Sequence, residues 1–546
     1  MPWIIWRHMT AELLRVLLFT TTVIVVVIAF GAAIKPLADS SLGSGSVVKY
    51  VALAMIPMLQ FALPFSSGFA ATLVLHRFAA DNELVAMSTS GIRYRTIFAP
   101  VLAVGLALLI VMFILLHTIV PRFWGRMQDM LAQDATSIFL AAVSRGEALE
   151  VGQVSIYADT ATVDPTPPDN GAEQRLLLQG VAAIQKNGAG EQVSEFTSEF
   201  ATVDVHRGRE GVIMKLAMTN GSGFNAAEGT VIFVPTAQPQ AVQLGRALEA
   251  DAKSMTYFEL QDVRNDLPNH IEVQPARQAV LLSLTRAQVW QCIARELETS
   301  GKVELVEEGG RRSYRIEGGT LVNDIISPKS PGTTVRIVEL DRAKPIREAV
   351  CSQVLMPFNS EDASDGRVDL IATAPRAKDL LRSEGLASRW PARIQGLSAA
   401  PCSTSNISKI EFVDLAPRVN ELSKPDSGVP KSLQSAGASS LAQFFKQMNK
   451  VNVDAFSHLC QRAALAWSAP LIILLGASLA AWKRNSLPLT MYLIAFIPGI
   501  LNIVMIAGGQ QVIRADNVLW GVIVSWSGNA ILLLCSIYAL RQLARN

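Results

Sequence analysis

Charge and cysteine are scarce in this chain of 546 residues. Charged residues make up 17% of it and leave a formal net charge of +2. That charge is too small to indicate nucleic-acid binding, and no basic stripe with interleaved aromatic residues is present. The five cysteines are widely spaced, odd in number and without a CxxC pair, which argues against a metal site or a dense disulfide framework. Cys351 and Cys402 would pair if their domain faced an oxidising compartment; otherwise two unpaired thiols are expected.

Catalytic motifs are missing as well. The chain has no G-x-x-x-x-G-K-[ST] sequence and so carries no P-loop of its own. It has neither a G-x-S-x-G nucleophile elbow nor an H-E-x-x-H zinc helix. The six histidines are scattered, and none pairs at i,i+4. We therefore expect no enzyme active site, no bound metal and no cofactor held by this chain.

Long apolar runs are what the sequence does have, since half of its residues are hydrophobic. A run of about 20 apolar residues spans a bilayer core of ~30 Å. The first run follows basic residues, as in a signal peptide, but it is longer than an h-region and further spans follow it. We interpret it as an uncleaved first span. The six predicted spans cover about residues 13–34, 50–75, 97–120, 463–482, 487–507 and 518–540.

The positive residues of the short connections predict an orientation. Lysine and arginine are enriched in cytoplasmic loops, and most of them fall on one side if both termini are cytoplasmic. This arrangement gives three spans, a large external domain and three more spans. The residues on the predicted cytoplasmic side are Arg7, Arg15, Arg77, Arg93, Arg95, Lys483, Arg484, Arg541 and Arg545.

The segment 77–96, RFAADNELVAMSTSGIRYRT, connects the second and third runs. Asp81 or Asn82 is suited to cap a helix with Glu83 in its first turn, and Gly91 is suited to end it. A short loop between two spans lies on the membrane surface. We expect a capped helix on the cytoplasmic face that a soluble partner could push; the alternative is a solvated connecting turn.

The long region between the third and fourth runs changes character along its length. Its first part alternates loosely between apolar and polar residues, with turn signals between the runs, which is typical of an antiparallel β sandwich or jelly roll. Further on, we expect a helix capped by Thr285, a hairpin that turns at Gly309-Gly310, and a Pro/Gly/Ser-rich linker over 423–440 leading to an amphipathic segment at 441–448.

The predicted fold class is a membrane α-helical bundle of six spans with a large extracytoplasmic antiparallel β domain, jelly-roll-like, that carries an α+β insertion. The expected divisions are spans one to three with the cytoplasmic helical segment (1–121, including 77–96), the β domain (122–270), the α+β insertion (271–422), the linker and amphipathic segment (423–461), and spans four to six (462–546).

Several short motifs resemble those of the LptF/LptG (YjgP/YjgQ) permease family. The most telling is DNELVAMSTSGI, Asp81–Ile92, which is similar to that family's E-L-V-x-[ML]-x-x-x-G-[IV] segment. The other resemblances are Arg7–Leu18 before the first span, Pro57 and Pro64 in the second, Arg462 with Pro470 and Gly476 opening the fourth, and Trp520 leading the sixth. The external region is far longer than the family pattern.

The resemblance implies a permease subunit of an ABC transporter in the bacterial inner membrane that extracts lipopolysaccharide or a related glycolipid. It implies four partners: a cytoplasmic ATPase dimer that hydrolyses the ATP, a second permease of the same type or a second copy of this chain, the glycolipid, and a periplasmic jelly-roll bridge. The segment Glu83–Gly91 would be the coupling helix. The residues assigned to coupling are Asp81, Glu83, Leu84, Met87 and Gly91.

Polar residues near or within the spans have two interpretations each. Lys35, Lys49 and Arg514 would meet a lipid phosphate, or would simply snorkel to the interface. Asn502 and Asn529 are more typical of hydrogen bonds between packed helices than of a functional site. The competing view of the whole chain is a non-transport envelope protein whose membrane-anchored external domain binds a partner or a polymer.

Overall fold

The computed structural model divides the chain into two compact units, Met1–Arg264 with Val453–Asn546, and Asn265–Asn452. We call them the span unit and the inserted unit. The residues that the structure describes are 3–39, 44–133, 140, 143, 146, 148–151, 154–164, 172, 174–186, 192–208, 211–225, 230–244, 252–307, 310–330, 332–358, 367–380, 387–399, 402, 410–424, 427–483 and 486–545.

The span unit contains six helices long and apolar enough to cross a membrane, as expected. The helices before the β region are α1 (Trp3–Asp39), α2 (Ser44–Ala80), α3 (Glu83–Thr89), α4 (Tyr94–Ile97), α5 (Ala99–Ile114), a π-helical turn (Leu115–Ile119) and α6 (Val120–Gln133). A further helix, α7 (Tyr257–Asn265), follows that region. The last three are α10 (Lys431–Trp482), which belongs to the span unit from Val453 onward, α11 (Pro488–Arg514) and α12 (Val518–Arg545).

These helices are longer than the apolar runs that predicted them. Residues 35–49, with the sequence SSLGSGS at their centre, are typical of a short flexible loop, yet the chain is helical up to Asp39 and again from Ser44, so that expectation is wrong for most of the segment. The expected linker over 423–440 is likewise wrong from Lys431 onward, where α10 begins and includes the amphipathic segment. The end of an apolar run marks the end of burial in lipid, whereas a helix continues as long as its backbone hydrogen bonds are favourable.

Six strands of the span unit form one antiparallel sheet in the order β1-β2-β3-β4-β5-β6. Each strand therefore pairs with its neighbour in the chain, which is a meander. The sequence pattern of Val231–Val234 predicts a buried strand; the strand is present within β6, but the Phe233 side chain is 75% exposed, so the predicted burial is wrong there. Among the strands that the structure describes, the crossing connections of a jelly roll are not found, so that part of the expectation is not confirmed. The strands are β1 (Leu149–Val151), β2 (Val154–Val163), β3 (Gln174–Lys186), β4 (Gln192–Gly208), β5 (Gly211–Asn225) and β6 (Thr230–Leu244).

The inserted unit packs one helix on an eleven-stranded antiparallel sheet, and a second helix packs on the first. The helices are α8 (Gln274–Thr299) and α9 (Phe412–Leu422). The strands, in the sheet order β16-β15-β12-β11-β8-β7-β17-β14-β13-β10-β9, are β7 (Lys302–Val306), β8 (Arg312–Glu317), β9 (Gly319–Val322), β10 (Ile325–Pro328), β11 (Val335–Asp341), β12 (Lys344–Cys351), β13 (Gln353–Leu355), β14 (Val368–Thr373), β15 (Arg376–Asp379), β16 (Ala387–Ser388) and β17 (Ile394–Ala399).

Local expectations for the inserted unit have mixed outcomes. The hairpin is confirmed, because β7 and β8 pair and the Gly310 N–H donates to the Glu307 carbonyl. The cap at Thr285 is wrong: α8 begins eleven residues earlier, at Gln274, and the Thr285 hydroxyl donates to the Leu281 carbonyl inside the helix. Val289, Ile293 and Leu297, which follow one another at helical spacing in the sequence, lie on one face of α8 and are buried against the sheet.

A disulfide joins α8 to a distant part of the inserted unit, and it differs from both the conditional Cys351–Cys402 pair and the two unpaired thiols expected otherwise. Cys402 bonds to Cys292, 110 residues away in the chain, with their Cα atoms 6.0 Å apart. Cys351 remains a free thiol, buried in the core, and burial raises its pKa to about 11. Two cysteines form a disulfide only if the fold brings their Cα atoms close enough together. The spacing of cysteines along the sequence does not show which of them meet this condition.

Candidate functional site

The predicted coupling segment, residues 77–96, runs from the last turn of α2 through the short helix α3 into α4; we call it the coupling segment after that prediction. Asn82 stands at the start of α3 in a left-handed conformation, with φ 58°, and makes no side-chain cap. The expected capping hydrogen bond from Asp81 or Asn82 is therefore wrong, since the left-handed turn itself redirects the chain. Glu83 occupies the first turn of α3, as predicted, where the helix dipole favours a carboxylate.

Gly91 ends α3 as predicted. Its φ is +80°, a conformation that glycine adopts without strain. The Gly91 N–H donates to the Ser88 carbonyl, and the Ile92 N–H donates to the Met87 carbonyl. These two bonds close the helix with a tight left-handed turn.

Helix α3 has one buried side and one exposed side. Leu84 and Met87 are 5% and 8% exposed and belong to the core that packs α1, α2, α5 and α10 together. Glu83, Val85 and Ala86 are exposed. Two of the predicted coupling residues therefore anchor α3 to the spans, whereas Glu83 lies on the surface that another molecule could touch.

The first turns of α1 hold the coupling segment in place, which sequence reasoning missed. The Trp6 indole N–H donates to the Thr96 carbonyl at 3.0 Å. Met9 and Leu13 are fully buried in the same core as α3, and Arg77 lies 3.9 Å from a Glu12 carboxylate oxygen. The available signal was the apolar spacing of four residues before the first predicted span.

At the other end of α2 and α5 from the coupling segment lies a cavity of about 600 Å³. Its described lining comes from α2, the π-helical turn, α6, the segment before α7, α10 and α11. We call it the polar cavity. Its described lining residues are Met58, Gln60, Phe61, Leu116, Val120, Trp124, Lys253, His458, Gln461, Arg462, Leu465, Gln510 and Arg514. A π-helical turn such as Leu115–Ile119 often marks a functional position in a helix.

Arg514 is the predicted lipid-binding residue that the structure brings into this cavity. Its Nε lies 2.6 Å from a carboxylate oxygen of Asp454, and its Nη2 lies 2.7 Å from Nε2 of His458. Both contacts join the end of α11 to α10. Arg514 is thus fixed by the protein at the cavity wall, with a third of its side chain exposed.

Arg462, which the sequence flagged only as a motif residue, is a buried part of the same wall. Its guanidinium donates to the backbone carbonyls of Met255, Ala252 and Lys253, at 2.7, 3.1 and 3.2 Å. Nζ of Lys253 in turn lies 3.6 Å from the ring centroid of Trp124. An arginine that opens an apolar run was the signal that could have identified this group.

The other predicted lipid contacts are placed less specifically. Lys35 and Lys49 lie in α1 and α2, at positions where the structure describes only the helical backbone. The Asn502 amide donates to the Asn529 side-chain oxygen at 3.1 Å, and the Asn529 amide donates to the Ala464 carbonyl at 2.9 Å. The interpretation of these asparagines as interhelical hydrogen-bonding residues is confirmed.

Within the described residues, no group of three or more His, Cys, Asp or Glu side chains is arranged to hold a metal ion. Apart from the imidazole of His458, the polar side chains that line the polar cavity are mainly cationic or amide groups. Such groups donate hydrogen bonds and attract anions, whereas metal sites need carboxylate, imidazole or thiolate ligands.

Comparison with known families gives one match. The model of the family described as "Lipopolysaccharide export system permease LptF/LptG" matches residues 7–277, about half of the chain. The match includes the coupling segment and the β region but not the last three spans, so the motifs around Arg462 and Trp520 remain a resemblance. No individual curated protein matches the chain. With its six apolar helices and antiparallel β region, this multi-pass membrane protein belongs to the LptF/LptG family of lipopolysaccharide export permeases.

Proposed function

We propose that this chain is the permease subunit of an ABC transporter that extracts lipopolysaccharide or a related glycolipid from the bacterial inner membrane. In this proposal a separate cytoplasmic ATPase dimer supplies the energy, because the sequence has no P-loop. A second permease of the family, or a second copy of this chain, completes the membrane part. The glycolipid then passes to a periplasmic jelly-roll bridge. The family match supports the general role in export.

The observation that carries the coupling role is that α3 is buried on one side and exposed on the other. Its inner face is fixed in the core shared by α1, α2, α5 and α10, and its outer face presents Glu83, Val85 and Ala86. A helix fixed in this way moves together with the spans that it joins. A push on the outer face would therefore shift those spans, since packed cores transmit displacement with little compression.

The proposed orientation places both termini and the coupling segment in the cytoplasm and the region between α6 and α10 in the periplasm. Loop arginines and lysines support it. The Cys292–Cys402 disulfide supports it independently, because disulfides persist in oxidising compartments such as the periplasm.

A charge reversal at Glu83 tests the proposal. We expect Glu83→Arg to reduce ATPase co-purification in mild detergent and lipid release from vesicles by at least about tenfold, the effect of ~1.4 kcal/mol on an equilibrium. The matched control is Glu298→Arg, which reverses an exposed helical carboxylate in the inserted unit. Unchanged association and unchanged release in Glu83→Arg would refute the coupling role.

A further inference from the structure

We propose that a groove in the inserted unit binds a short peptide through both of its charged ends. The groove has a volume of about 510 Å³ and lies between α8 and α9. We call it the peptide groove. Its walls include Leu284, Gln288 and Gln291 of α8 and Arg418, Glu421 and Leu422 of α9. The proposal concerns the inserted unit alone and does not depend on the export function proposed above.

The peptide groove carries charges of both signs. Arg418 and Glu421 lie one turn apart on α9, and Lys424 follows one turn later, where its backbone N–H donates to the Glu421 carbonyl. All three side chains are exposed. Within the part of the chain that the structure describes, none of the three forms an ion pair, although opposite charges at this spacing often do so. A ligand with one positive and one negative group matches them better than an anion alone, which Glu421 would repel.

The chemistry of the two charged helix residues assigns the two ends of the ligand. The guanidinium of Arg418 is a planar fork that binds both oxygens of a carboxylate. The Glu421 carboxylate accepts hydrogen bonds from an ammonium group. We therefore assign the carboxyl end of the peptide to Arg418 and its amino end to Glu421. Gln288 supplies an amide donor and an amide acceptor from the α8 side, which suit a peptide bond.

The spacing of the charges favours a peptide over a free amino acid. Residues one turn apart on a helix have Cβ atoms about 5–6 Å apart. In a free amino acid both charged groups are attached to the same carbon atom, whereas each further residue lengthens an extended chain by about 3.3 Å. A dipeptide or tripeptide thus reaches from Arg418 to Glu421. The groove volume of about 510 Å³ is within the ~300–1,000 Å³ of small-molecule pockets.

The peptide groove also has an apolar part. Leu284 and Ile410 are 4% and 8% exposed, and Leu422 is partly buried beside them in the groove lining. A small zwitterion without a side chain would leave this surface unused. A peptide with an aliphatic side chain covers it and removes further apolar area from water, which favours binding.

The walls of the peptide groove are fixed by contacts within the inserted unit. The amide of Gln291 donates to the Ser427 carbonyl at 3.0 Å, and the Ser427 hydroxyl donates to the Leu422 carbonyl at 2.8 Å. These bonds join α8 to the end of α9. The disulfide at Cys292, the residue after Gln291, restrains the same turn of α8. Walls that are already held in place lose little entropy when a ligand binds.

Calorimetric titration of the purified full-length chain in detergent tests the proposal. The probes are leucyl-alanine and three blocked forms of it: acetylated at the amino end, amidated at the carboxyl end, and blocked at both ends. We expect each single block to weaken binding about fivefold, near the upper range for an exposed ion pair, and both blocks together to weaken it about 25-fold.

Two substitutions show which residue meets which end of the peptide. Glu421→Gln should weaken binding of leucyl-alanine about fivefold and leave that of the acetylated form unchanged, because the acetylated form has no ammonium group. Arg418→Gln should weaken binding of leucyl-alanine to a similar extent and leave that of the amidated form unchanged. Arg418→Lys should retain part of the affinity, since it keeps the charge and loses the planar fork.

Glu298→Gln and Arg295→Gln are the matched controls. Both residues are exposed on α8 and are not among the described lining residues of the peptide groove, so both variants should bind leucyl-alanine like the wild type. A loss in either control as large as that in Glu421→Gln would count against the assigned contacts and overturn the proposal.

Three further outcomes would overturn it. One is equal affinity for leucyl-alanine and its doubly blocked form, or no binding of any of the four probes. Another is wild-type affinity in both Glu421→Gln and Arg418→Gln. The third is a loss on amidation without a loss on acetylation, which would identify the groove as a simple anion site.

Discussion

The span unit and the inserted unit bury polar groups in different ways. In the inserted unit, Asp369 and Glu339 are almost fully buried as charges, each paired with an arginine. In the span helices most buried polar side chains are small and neutral, and many of them bond to their own helix: Ser67 donates to the Pro64 carbonyl, Ser525 to that of Gly521 and Ser536 to that of Leu532.

The two units bury polar groups differently because water surrounds the inserted unit, whereas lipid surrounds the membrane-spanning helices. A buried carboxylate is tolerated where an arginine reaches it and still contacts water, as Arg393 does with 39% of its side chain exposed. Within a bilayer no water is available, so charges are costly and hydroxyl groups satisfy themselves on the backbone. The polar cavity is the exception in the span unit, because Lys253, Arg462 and Arg514 line it near the ends of the span helices.

Breaking the disulfide should have the largest effect on the inserted unit. We expect Cys402→Ser to lower the free energy of unfolding of that unit by about 4 kcal/mol, because it releases a loop closed across 110 residues. Pulse proteolysis of the full chain measures the loss, and non-reducing gel mobility reports the bond. Cys351→Ala should keep the oxidised mobility; a loss of that mobility would show that Cys351 is a partner in the bond.

Removal of a buried charge in the inserted unit should come next. Asp369 accepts hydrogen bonds from Arg393 at 2.6 and 3.0 Å and from the Gly396 N–H at 3.0 Å. We expect Asp369→Ala to cost about 3 kcal/mol, since it leaves these donors without their acceptor. The Cys351 thiol, buried and with a raised pKa, reacts only on opening, so its alkylation rate, followed by mass spectrometry, measures the loss.

The control for Asp369 is an exposed pair in the same sheet. The Arg336 guanidinium bonds to Glu348 at 2.7 Å, but half of the Arg336 side chain is in solvent. Glu348→Ala should cost less than about 1 kcal/mol. If Asp369→Ala and Glu348→Ala lowered the free energy of unfolding by the same amount, burial would not determine how strongly these ion pairs stabilise the unit.

The smallest effect is expected between the spans. A double-mutant cycle on Asn502→Ala and Asn529→Ala should give a coupling energy of about 0.6 kcal/mol, the average for hydrogen bonds between membrane helices. Unfolding of the span unit in mixed micelles measures it. Ser536→Ala paired with Asn529→Ala serves as the control, because Ser536 bonds within its own helix. A coupling energy above about 2 kcal/mol would show that the Asn502–Asn529 hydrogen bond stabilises the protein as strongly as a buried ion pair, and would contradict this prediction.

The sequence by itself determined the features that depend on local pattern. Apolar runs of sufficient length predicted six spans because lipid requires them, and the glycine of DNELVAMSTSGI predicted the end of α3 because a left-handed turn favours that residue. The same segment carried the family resemblance that the match over residues 7–277 confirmed.

Only the tertiary structure decided which distant residues meet. Cys292 rather than Cys351 bonds to Cys402, Trp6 reaches Thr96, and Lys253, Arg462 and Arg514 converge on one cavity. None of these contacts has a spacing rule in the chain. They depend on how helices and strands pack against one another. That packing is determined by the shapes of surfaces built from residues far apart in the sequence, so a local pattern does not predict it.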